Sequence, residues 1–338
     1  MKIIERLDSF LFLKNRLNEF PANKFSDLVI KAHHKNPWFT EKNIRLAFDG
    51  IIEMLNEESL KEWSDRYPLE DKTPKNIGVI MAGNIPMVGF HDLLCVLLSN
   101  HNLKARLSSQ DDVLIPFIID ELVSIDPWWG EKIEIVEKIK EVDAVIATGS
   151  DNTSRYFEYY FRGLPKILRK NRTSLAIITG HEDRQELKDL GKDIYQYFGL
   201  GCRNVSKILL PEGYNLIQLL DELNDWAELM ESNKYMNNYT YNRAIFSIEK
   251  IQYLDNGYSL FTQSDQPVSP TAVVYYDFYR DNTELKNYID QNHEKIQCLV
   301  GSKDSGLNNI VPFGKAQQPK IWDYADNVDT MKFLTGLN

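Results

Sequence analysis

Residues 76–109 have the sequence NIGVIMAGNIPMVGFHDLLCVLLSNHNLKARLSS, which contains two strand candidates separated by one helix candidate. NIGVIMAG is a short apolar run that ends in glycine, and NLKARLSS is the second strand candidate. The segment between them, MVGFHDLLCVLLSN, is predicted to be a helix. Strands that alternate with helices of this length indicate a parallel sheet with helices on both of its faces.

The same alternation continues along most of the chain. The first run goes on through a helix, a strand and a helix, namely DDVLIPFIIDELVSI, VDAVIATGS and TSRYFEYYFRG. A second run starts near residue 174 and contains, in order, SLAIITG, DRQELKDLGKDIYQYF, VSKILLP, TAVVYYDFY and KIQCLVG. The sequence therefore predicts an α/β fold with two Rossmann-like parallel-sheet domains.

The N-terminal part of the chain differs, because its apolar residues recur at three- and four-residue spacing and predict helices. We expect a helical region at 1–75, a first sheet domain at 76–170 that the helical region completes, and a second sheet domain at 171–318. Residues 319–338 are expected to form a C-terminal tail. We place the boundary between the sheet domains in LPKILRKNRTS, which carries a proline and a basic run.

Composition and charge exclude several classes of protein. The chain has 338 residues, of which 43% are hydrophobic, and a net charge of −10, so a nucleic-acid surface is not expected. The three cysteines have no CxxC spacing, which argues against a disulfide framework or a zinc site, and we assign no metal. No apolar run reaches the ~20 residues that span a bilayer, and the start of the chain does not resemble a signal peptide. A cytoplasmic protein is expected.

The first candidate for chemistry is Cys202 in GLGCRNVSK, which lies between a predicted helix and a predicted strand. Gly199 and Gly201 allow the backbone to approach another group closely, and Arg203 favours the thiolate form of the neighbouring cysteine. Cys202 is therefore a candidate nucleophile. The alternative is a buried, inert cysteine in a glycine-containing turn.

Two strand ends carry further candidates, because ligands of parallel sheets bind at the carboxyl ends of the strands. Asn84 in AGNIP can donate a hydrogen bond to a developing oxyanion, or it can simply cap the next helix. Thr148, Gly149 and Ser150 end another strand and can meet a phosphate, or they can form an N-terminal capping box.

Basic residues stand out in this acidic chain. Arg169, Lys170 and Arg172 are candidates for holding the phosphates of a nucleotide or of coenzyme A, although a solvated surface is the alternative. Arg106, at the end of the second strand, has the same two interpretations.

The order of these motifs resembles the aldehyde dehydrogenase superfamily and, within it, the acyl-CoA reductases of the bacterial luminescence (LuxC) type. The resemblance covers residues 76–211 best, in AGNIPMVGFHD, VDAVIATGSDNTSRYFEYYF, RKNRTS and YFGLGCRNVSK. A weaker similarity continues through SPTAVVYYDFY and VPFGKAQQP to YADNVDTMKFL.

The resemblance implies a role for each candidate. Cys202 matches the catalytic cysteine, and Asn84 matches the asparagine of the oxyanion hole, paired with the backbone N–H of Cys202. The first sheet domain would bind the dinucleotide through the Thr148–Ser150 loop, Arg106 and Ser108, and Gly314 lies where the family closes the catalytic site.

One departure from the superfamily favours a particular reaction. Hydrolytic aldehyde dehydrogenases carry a glutamate in a Leu-Glu-Leu-Gly-Gly segment, where it activates the deacylating water. The matching stretch here, KILRK at 166–170, contains no carboxylate. The resemblance therefore implies reduction of an acyl-CoA thioester, expected to be fatty, to an aldehyde, with NADPH favoured over NADH.

Three other functions stay open. The chain can be a non-acylating NAD(P)-dependent aldehyde dehydrogenase, a catalytically quiet acyl- or nucleotide-binding subunit, or a cysteine acyltransferase or thioesterase. Related reductases imply an acyl-CoA or protein-bound acyl donor, with a protein partner that supplies the acyl group. The superfamily also implies a homo-oligomer, although RYPLEDKTP offers no convincing oligomerisation hairpin.

Overall fold

The computed structural model describes residues 1–69, 73–149 and 151–337, with the side chains of residues 151 and 152 left out. Two compact units make up the chain. Unit 1 comprises Met1–Asn171 and Pro319–Asn338, and unit 2 comprises Arg172–Gln318.

Unit 1 contains a parallel sheet and a set of helices. Its helices before residue 171 are α1 (Ile3–Asn18), α2 (Ala22–Lys35), α3 (Glu41–Met54), α4 (Glu57–Ser64), α5 (Phe90–Leu98), α6 (Leu114–Ile125), α7 (Trp128–Lys132) and α8 (Asp151–Tyr160). Its strands are β1 (Asn76–Ile80), β2 (Asn102–Arg106), β3 (Ile133–Ile135), β4 (Ala144–Thr148) and β5 (Lys166–Arg169).

The five strands lie in the order β3-β2-β1-β4-β5, and every neighbouring pair is parallel. The chain first adds β2 and β3 on one side of β1, and it then adds β4 and β5 on the other side of β1. Such a reversal opens a crevice at the carboxyl ends of the two strands, which is where nucleotides bind in doubly wound folds. Here the loops after β1 and β4 flank that crevice.

The core of unit 1 forms because its central strands are mostly apolar and because α5 is apolar apart from His91 and Asp92. Strand β4 is buried from Ala144 to Ala147, and α5 buries most of its length between the sheet and the surrounding helices. Helix α1 is amphipathic and buries Phe10, Leu13 and Leu17, which recur at helical spacing along one face.

Unit 2 contains a second sheet, with strands β6 (Thr173–Ile177), β7 (Val205–Pro211), β8 (Leu254–Asp255), β9 (Leu260–Gln263), β10 (Val273–Tyr279), β11 (Ile296–Gly301) and β12 (Ile310–Val311). Its helices are α9 (Arg184–Tyr195), α10 (Leu216–Glu222), α11 (Asn233–Glu249) and α12 (Asn282–Asn292). The strand order is β12-β11-β6-β7-β10-β9-β8. All pairs are parallel except β8 with β9.

The last residues of the chain return to unit 1 and end in α13 (Thr330–Thr335), whose Met331 and Leu334 are fully buried. The hydroxyl of Tyr324 accepts a hydrogen bond from Trp63 Nε1 at 2.7 Å and lies 2.8 Å from the hydroxyl of Tyr67. Residues 319–338, for which the sequence predicts a C-terminal tail, belong to unit 1 and pack against its helices.

Candidate active site

Cys202 lies in a turn between the 3-10 helix Gln196–Gly199, which follows α9, and the start of β7. The residue is partly exposed. Its carbonyl oxygen accepts a hydrogen bond from the hydroxyl of Ser174, on the neighbouring strand β6, at 3.1 Å. The cysteine is thus held at the amino edge of the unit 2 sheet, directly before a buried strand.

The approach to this turn uses an uncommon backbone conformation. Tyr197, Phe198 and Gly199 all have positive φ, at 53°, 59° and 74°. Positive φ is unusual for residues with a side chain, and three in succession require support from the surroundings. The two aromatic rings are buried, which supplies part of that support.

Gly314 is tied to the helix that precedes the Cys202 turn. Its N–H donates to Asp193 Oδ2 at 2.6 Å, and the N–H of Ala316 donates to Asp193 Oδ1 at 2.9 Å. Burial raises the pKa of Asp193 to about 7, although these two N–H donors act in the opposite direction. Asp193 therefore fixes the loop in which the sequence had singled out Gly314.

In unit 1, the loop after β1 carries Asn84, which is partly exposed. The loop is held by Asp111, whose Oδ2 accepts a hydrogen bond from the N–H of Met87 at 2.7 Å. Burial raises the pKa of Asp111 to about 6, and the N–H donors of Met87 and Leu114 oppose this shift. Asp111 thereby joins the Asn84 loop to the loop after β2.

Ser108 belongs to the same loop pair, since a Cβ atom on Gly83 would lie 2.6 Å from the Ser108 hydroxyl. Arg106, the last residue of β2, is exposed, and its carbonyl accepts a hydrogen bond from the N–H of Met81 at 3.0 Å. The residues after β1 and β2 are therefore close neighbours at the carboxyl edge of the sheet.

Thr148 and Gly149 lie at the end of β4, partly exposed. The N–H of Gly149 donates to the carbonyl of Arg169 at 3.2 Å, which holds the loop against β5. Ser150, the third residue assigned to this loop, lies outside the described residues.

The basic run is only partly available to a ligand. Arg169 is buried, with both terminal nitrogens bound to the carboxylate of Asp92 and one of them also bound to the hydroxyl of Thr330 at 2.9 Å. This corrects the expectation that Arg169 contacts a phosphate, because its guanidinium is already bound inside unit 1. Lys170 is exposed, and Arg172 donates to the carbonyl of Ile296 at 3.1 Å.

Three residues of these loops were not singled out from the sequence, namely Asp111, Asp193 and Asn204. Asp111 begins the predicted helix DDVLIPFIIDELVSI, and an aspartate there is a capping signal that could have identified it. Asp193 is one of several acids on an amphipathic helix, so no sequence signal marks it. Asn204 occupies the place of a third glycine in a Gly-rich turn, and its own bonds appear only in the structure.

A small cavity of about 30 Å³ lies beside the Cys202 turn in unit 2. Phe198 and Gly199 line one side, and Tyr235, Ser259 and Ala272 line another. That volume accommodates about two water molecules and is too small for an acyl chain.

Among the described residues, no group of three or more His, Cys, Asp or Glu side chains is arranged to hold a metal ion, and no helix has the length and apolar character needed to cross a membrane.

The fold is that of the aldehyde dehydrogenases. Aldehyde dehydrogenase 21 from Physcomitrella patens, in complex with succinate, is similar over 99% of this chain and 84% of its own, with a TM-score of 0.70 and 9% identity. An NAD-dependent aldehyde dehydrogenase from Sinorhizobium meliloti matches over 92% and 73%, with a TM-score of 0.70 and 11% identity. The NADP complex of glyceraldehyde-3-phosphate dehydrogenase from Bacillus halodurans matches over 90% and 75%, with a TM-score of 0.64 and 11% identity.

The family follows from the sequence itself. The model of the family described as acyl-CoA reductase (LuxC) matches residues 33–220, which is more than half of the chain. The chain therefore belongs to the LuxC family of acyl-CoA reductases, and the resemblance seen in its motifs is confirmed. This membership and the fold place the protein among the oxidoreductases that act on aldehyde or acyl groups. No curated protein matches the chain.

Proposed function

We propose that the protein reduces an acyl-CoA thioester to the aldehyde, with NADPH as reductant and Cys202 as the nucleophile. The observation that carries this proposal is the Cys202 turn, which presents one partly exposed thiol before a buried strand in a member of the LuxC family. The matching segment without a carboxylate, Lys166–Lys170, supports transfer to a thiol over hydrolysis.

The residues at the carboxyl edge of the unit 1 sheet fit a nicotinamide dinucleotide. The crevice between β1 and β4 carries Thr148 and Gly149. Arg106, which is exposed, is the last residue of β2, the strand on the other side of β1. The residues after β2 are Leu107, Ser108 and Ser109, so no carboxylate there would repel a 2′-phosphate. An arginine in this position suits NADPH, because it can bind that phosphate. When bound, the reduced nicotinamide supplies a hydride.

The first step is acylation of the cysteine. The Cys202 thiolate attacks the thioester carbonyl, a new carbon–sulfur bond forms, and the carbonyl electrons move onto oxygen. We assign the stabilisation of that oxyanion to the side-chain amide of Asn84 and the backbone N–H of Cys202, and one such donor contributes roughly 3–4 kcal/mol in the transition state. The oxyanion then collapses and coenzyme A leaves as its thiolate.

The second step releases the product. Once the acyl carbon has received hydride, its oxygen again carries negative charge, and the same two donors stabilise it. Collapse breaks the bond to sulfur, frees the aldehyde and returns Cys202 as a thiolate, so charge and electrons balance. Because one donor pair serves both steps, loss of Asn84 is expected to slow both.

The test is NADPH oxidation by the purified protein with a series of acyl-CoA lengths, together with intact mass measurement of the acyl-enzyme. Cys202→Ala is expected to abolish both signals, and Asn84→Ala to lower the acylation rate by about 10²–10³-fold. Cys298→Ala removes another thiol of unit 2 and is the matched control, expected to keep the acyl-enzyme. Turnover that persists without the Cys202 thiol would refute the proposal.

Other outcomes identify the alternative functions. Oxidation of an aldehyde to the acid without any need for coenzyme A would identify an aldehyde dehydrogenase. Acyl-enzyme formation with no binding of NADPH or NADH would point to an acyltransferase or thioesterase. Ligand binding with an inert Cys202 would identify a binding subunit.

A further inference from the structure

The side chain of Asn204 closes the turn that carries Cys202. The side-chain Oδ1 of Asn204 accepts a hydrogen bond from the N–H of Gly201 at 2.8 Å. The backbone N–H of Asn204 donates to the carbonyl of Gly201 at 3.0 Å. One residue therefore binds both polar groups of Gly201, the residue directly before the cysteine. Asn204 is 2% exposed, so water does not compete for these bonds.

The same side chain also anchors the turn to α9. Its Nδ2 lies within hydrogen-bond distance of three carbonyl oxygens at the end of that helix, those of Asp193 (3.0 Å), Ile194 (3.3 Å) and Gln196 (2.9 Å). The last carbonyls of a helix have no partner within the helix and need one from outside. Asn204 supplies it and thereby fixes the distance between α9 and the Cys202 turn.

These bonds determine the orientation of the peptide group between Gly201 and Cys202. The carbonyl of a trans peptide points away from the N–H of the next residue in the same plane. Because the Gly201 carbonyl is bound to the Asn204 N–H, the Cys202 N–H is directed to the opposite side of the turn. Three residues of positive φ precede the turn, a backbone conformation that needs support from its surroundings.

We propose that Asn204 is the positioning residue for Cys202, holding both its thiol and its backbone N–H in the orientation that acylation requires. This inference rests on the proposed function, since it concerns the same nucleophile. Asn204 acts through Gly201 and α9, without touching the reacting atoms. Asparagine suits the position because it combines one acceptor and two donors, whereas an aspartate would direct negative charge at three carbonyl oxygens.

The experiment compares two reactions of the same thiol in Asn204→Ser and Asn204→Asp. Alkylation by iodoacetamide needs the thiolate but develops no oxyanion, whereas acylation by p-nitrophenyl acetate or an acyl-CoA needs the directed N–H. Acylation of Cys202, followed by mass, is expected to fall by about 10–100-fold, as when reacting groups are misplaced by about 1 Å. Alkylation of Cys202 in Asn204→Ser is expected to stay within about threefold of the wild type, because it depends on the thiolate and this variant adds no charge.

Asn242→Ala is the matched control. Asn242 is also buried in unit 2, and its Nδ2 donates to a backbone carbonyl, that of Thr271, at 2.9 Å. This variant loses a comparable bond and is expected to keep both reaction rates near those of the wild type. Parallel losses of acylation and alkylation in Asn204→Ser would show a merely structural residue and overturn the proposal.

Amide hydrogen exchange of the wild-type protein tests the proposal even if the Asn204 variants do not fold. The amide hydrogens of Gly201 and Asn204 are expected to exchange slowly with solvent, and fast exchange at both would overturn the proposal. The activated ester separates this inference from the proposed function. If Cys202 of the wild type is acylated by p-nitrophenyl acetate but by no acyl-CoA, the proposed reductase function is refuted. The positioning role of Asn204 can then still be tested with p-nitrophenyl acetate. A wild-type Cys202 that neither reagent acylates would refute both.

Discussion

The guanidinium of Arg169 and the carboxylate of Asp92 form a two-point ion pair in the interior of unit 1. Asp92 lies in α5, which follows the Asn84 loop, and Arg169 ends β5, where its carbonyl accepts a hydrogen bond from Gly149. Burial lowers the pKa of Arg169, but the Asp92 carboxylate more than offsets this, so the net shift is upward. One charged pair thus connects the helix after the Asn84 loop to the loop at Gly149.

Replacing one partner of this pair leaves the other buried and unpaired. Arg169→Met is expected to lower the free energy of unfolding by about 3–5 kcal/mol, measured by urea denaturation. The double variant Arg169→Met with Asp92→Leu is expected to recover most of that loss, because two apolar side chains then replace the charges. A loss below about 1 kcal/mol in the single variant would mean that the pair is solvated.

Lys170→Met tests the neighbouring position, where the side chain is exposed. Its free energy of unfolding is expected to change by no more than about 0.5 kcal/mol, as for most surface substitutions. If Lys170 contacts coenzyme A, the KM for acyl-CoA rises in this variant, while the unfolding curve stays where it is. An unchanged KM would leave the run of basic residues without a role in substrate binding.

Arg169 also illustrates what the sequence could not reveal. The sequence places the boundary between the sheet domains in LPKILRKNRTS, which carries a proline and a basic run, yet KILR within this stretch forms strand β5. A buried arginine is compatible with a strand only when a carboxylate is available inside, and Asp92 is 77 residues away in the chain. Local periodicity contains no information about such a partner.

The loops that carry chemistry were easier to predict. Strands β1 and β4 are largely apolar runs, and β7 ends in one, so the residues that follow or precede these strands, including Asn84, Thr148 and Cys202, could be assigned to sheet edges. Some supports of those loops could not be predicted, because they join residues far apart in the sequence, as Asp193 does with Gly314. Tyr324 likewise accepts a hydrogen bond from Trp63 across 261 positions of sequence, a contact that local sequence patterns do not reveal.

Gly83 is expected to tolerate no side chain. In Gly83→Ala the new Cβ would lie 2.6 Å from the Ser108 hydroxyl and 3.1 Å from the backbone nitrogen of Asp111, so the Asn84 loop must shift. Overpacking of this kind costs about 1–3 kcal/mol, and the acylation rate is expected to fall as well. Thermal unfolding and acylation kinetics measure the two effects.

Gly50→Ala is the control for that substitution. Gly50 lies within α3, where an added Cβ meets nothing within 4 Å. Alanine is the better helix former, so this variant is expected to gain roughly 0.5–1 kcal/mol with unchanged acylation. If both glycine variants behaved alike, the close approach of Gly83 to Ser108 would have no functional meaning.

Arg106 is expected to determine the preference between the two nicotinamide cofactors. Arg106→Gln removes the exposed cation at the end of β2, so binding of NADPH should weaken by about 10–100-fold, the worth of a charge-assisted hydrogen bond at about 1.5–3 kcal/mol. NADH lacks the 2′-phosphate, so its binding should change little. The Kd values of both cofactors, measured by calorimetry, give the ratio.

Lys138→Gln serves as the comparison for Arg106, since it removes one exposed positive charge from unit 1 at a position without an assigned role. It is expected to leave the ratio of the two Kd values unchanged. Equal losses for NADPH and NADH in Arg106→Gln would indicate that this residue contacts a part that both cofactors share.

The stability of the protein is expected to fall as the pH rises from about 5 to about 7. Burial raises the pKa values of Asp111 and Asp193 to about 6 and about 7, from 3.8 in the unfolded chain. Between those values the native state retains a proton that the unfolded chain has lost. Each group therefore lowers the free energy of unfolding with rising pH, by at most about 1.4 kcal/mol per pH unit.

Asp193→Asn isolates one of the two groups. Above pH 6 Asp111 is mostly ionised in both states, so Asp193 dominates the remaining slope. Wild type and variant are unfolded in urea at several pH values, and their difference in unfolding free energy cancels the other carboxylates. The wild type is expected to lose stability relative to the variant as the pH rises towards 7. A difference that stays constant across this range would mean that Asp193 is ionised throughout, with the N–H donors of Gly314 and Ala316 outweighing its burial.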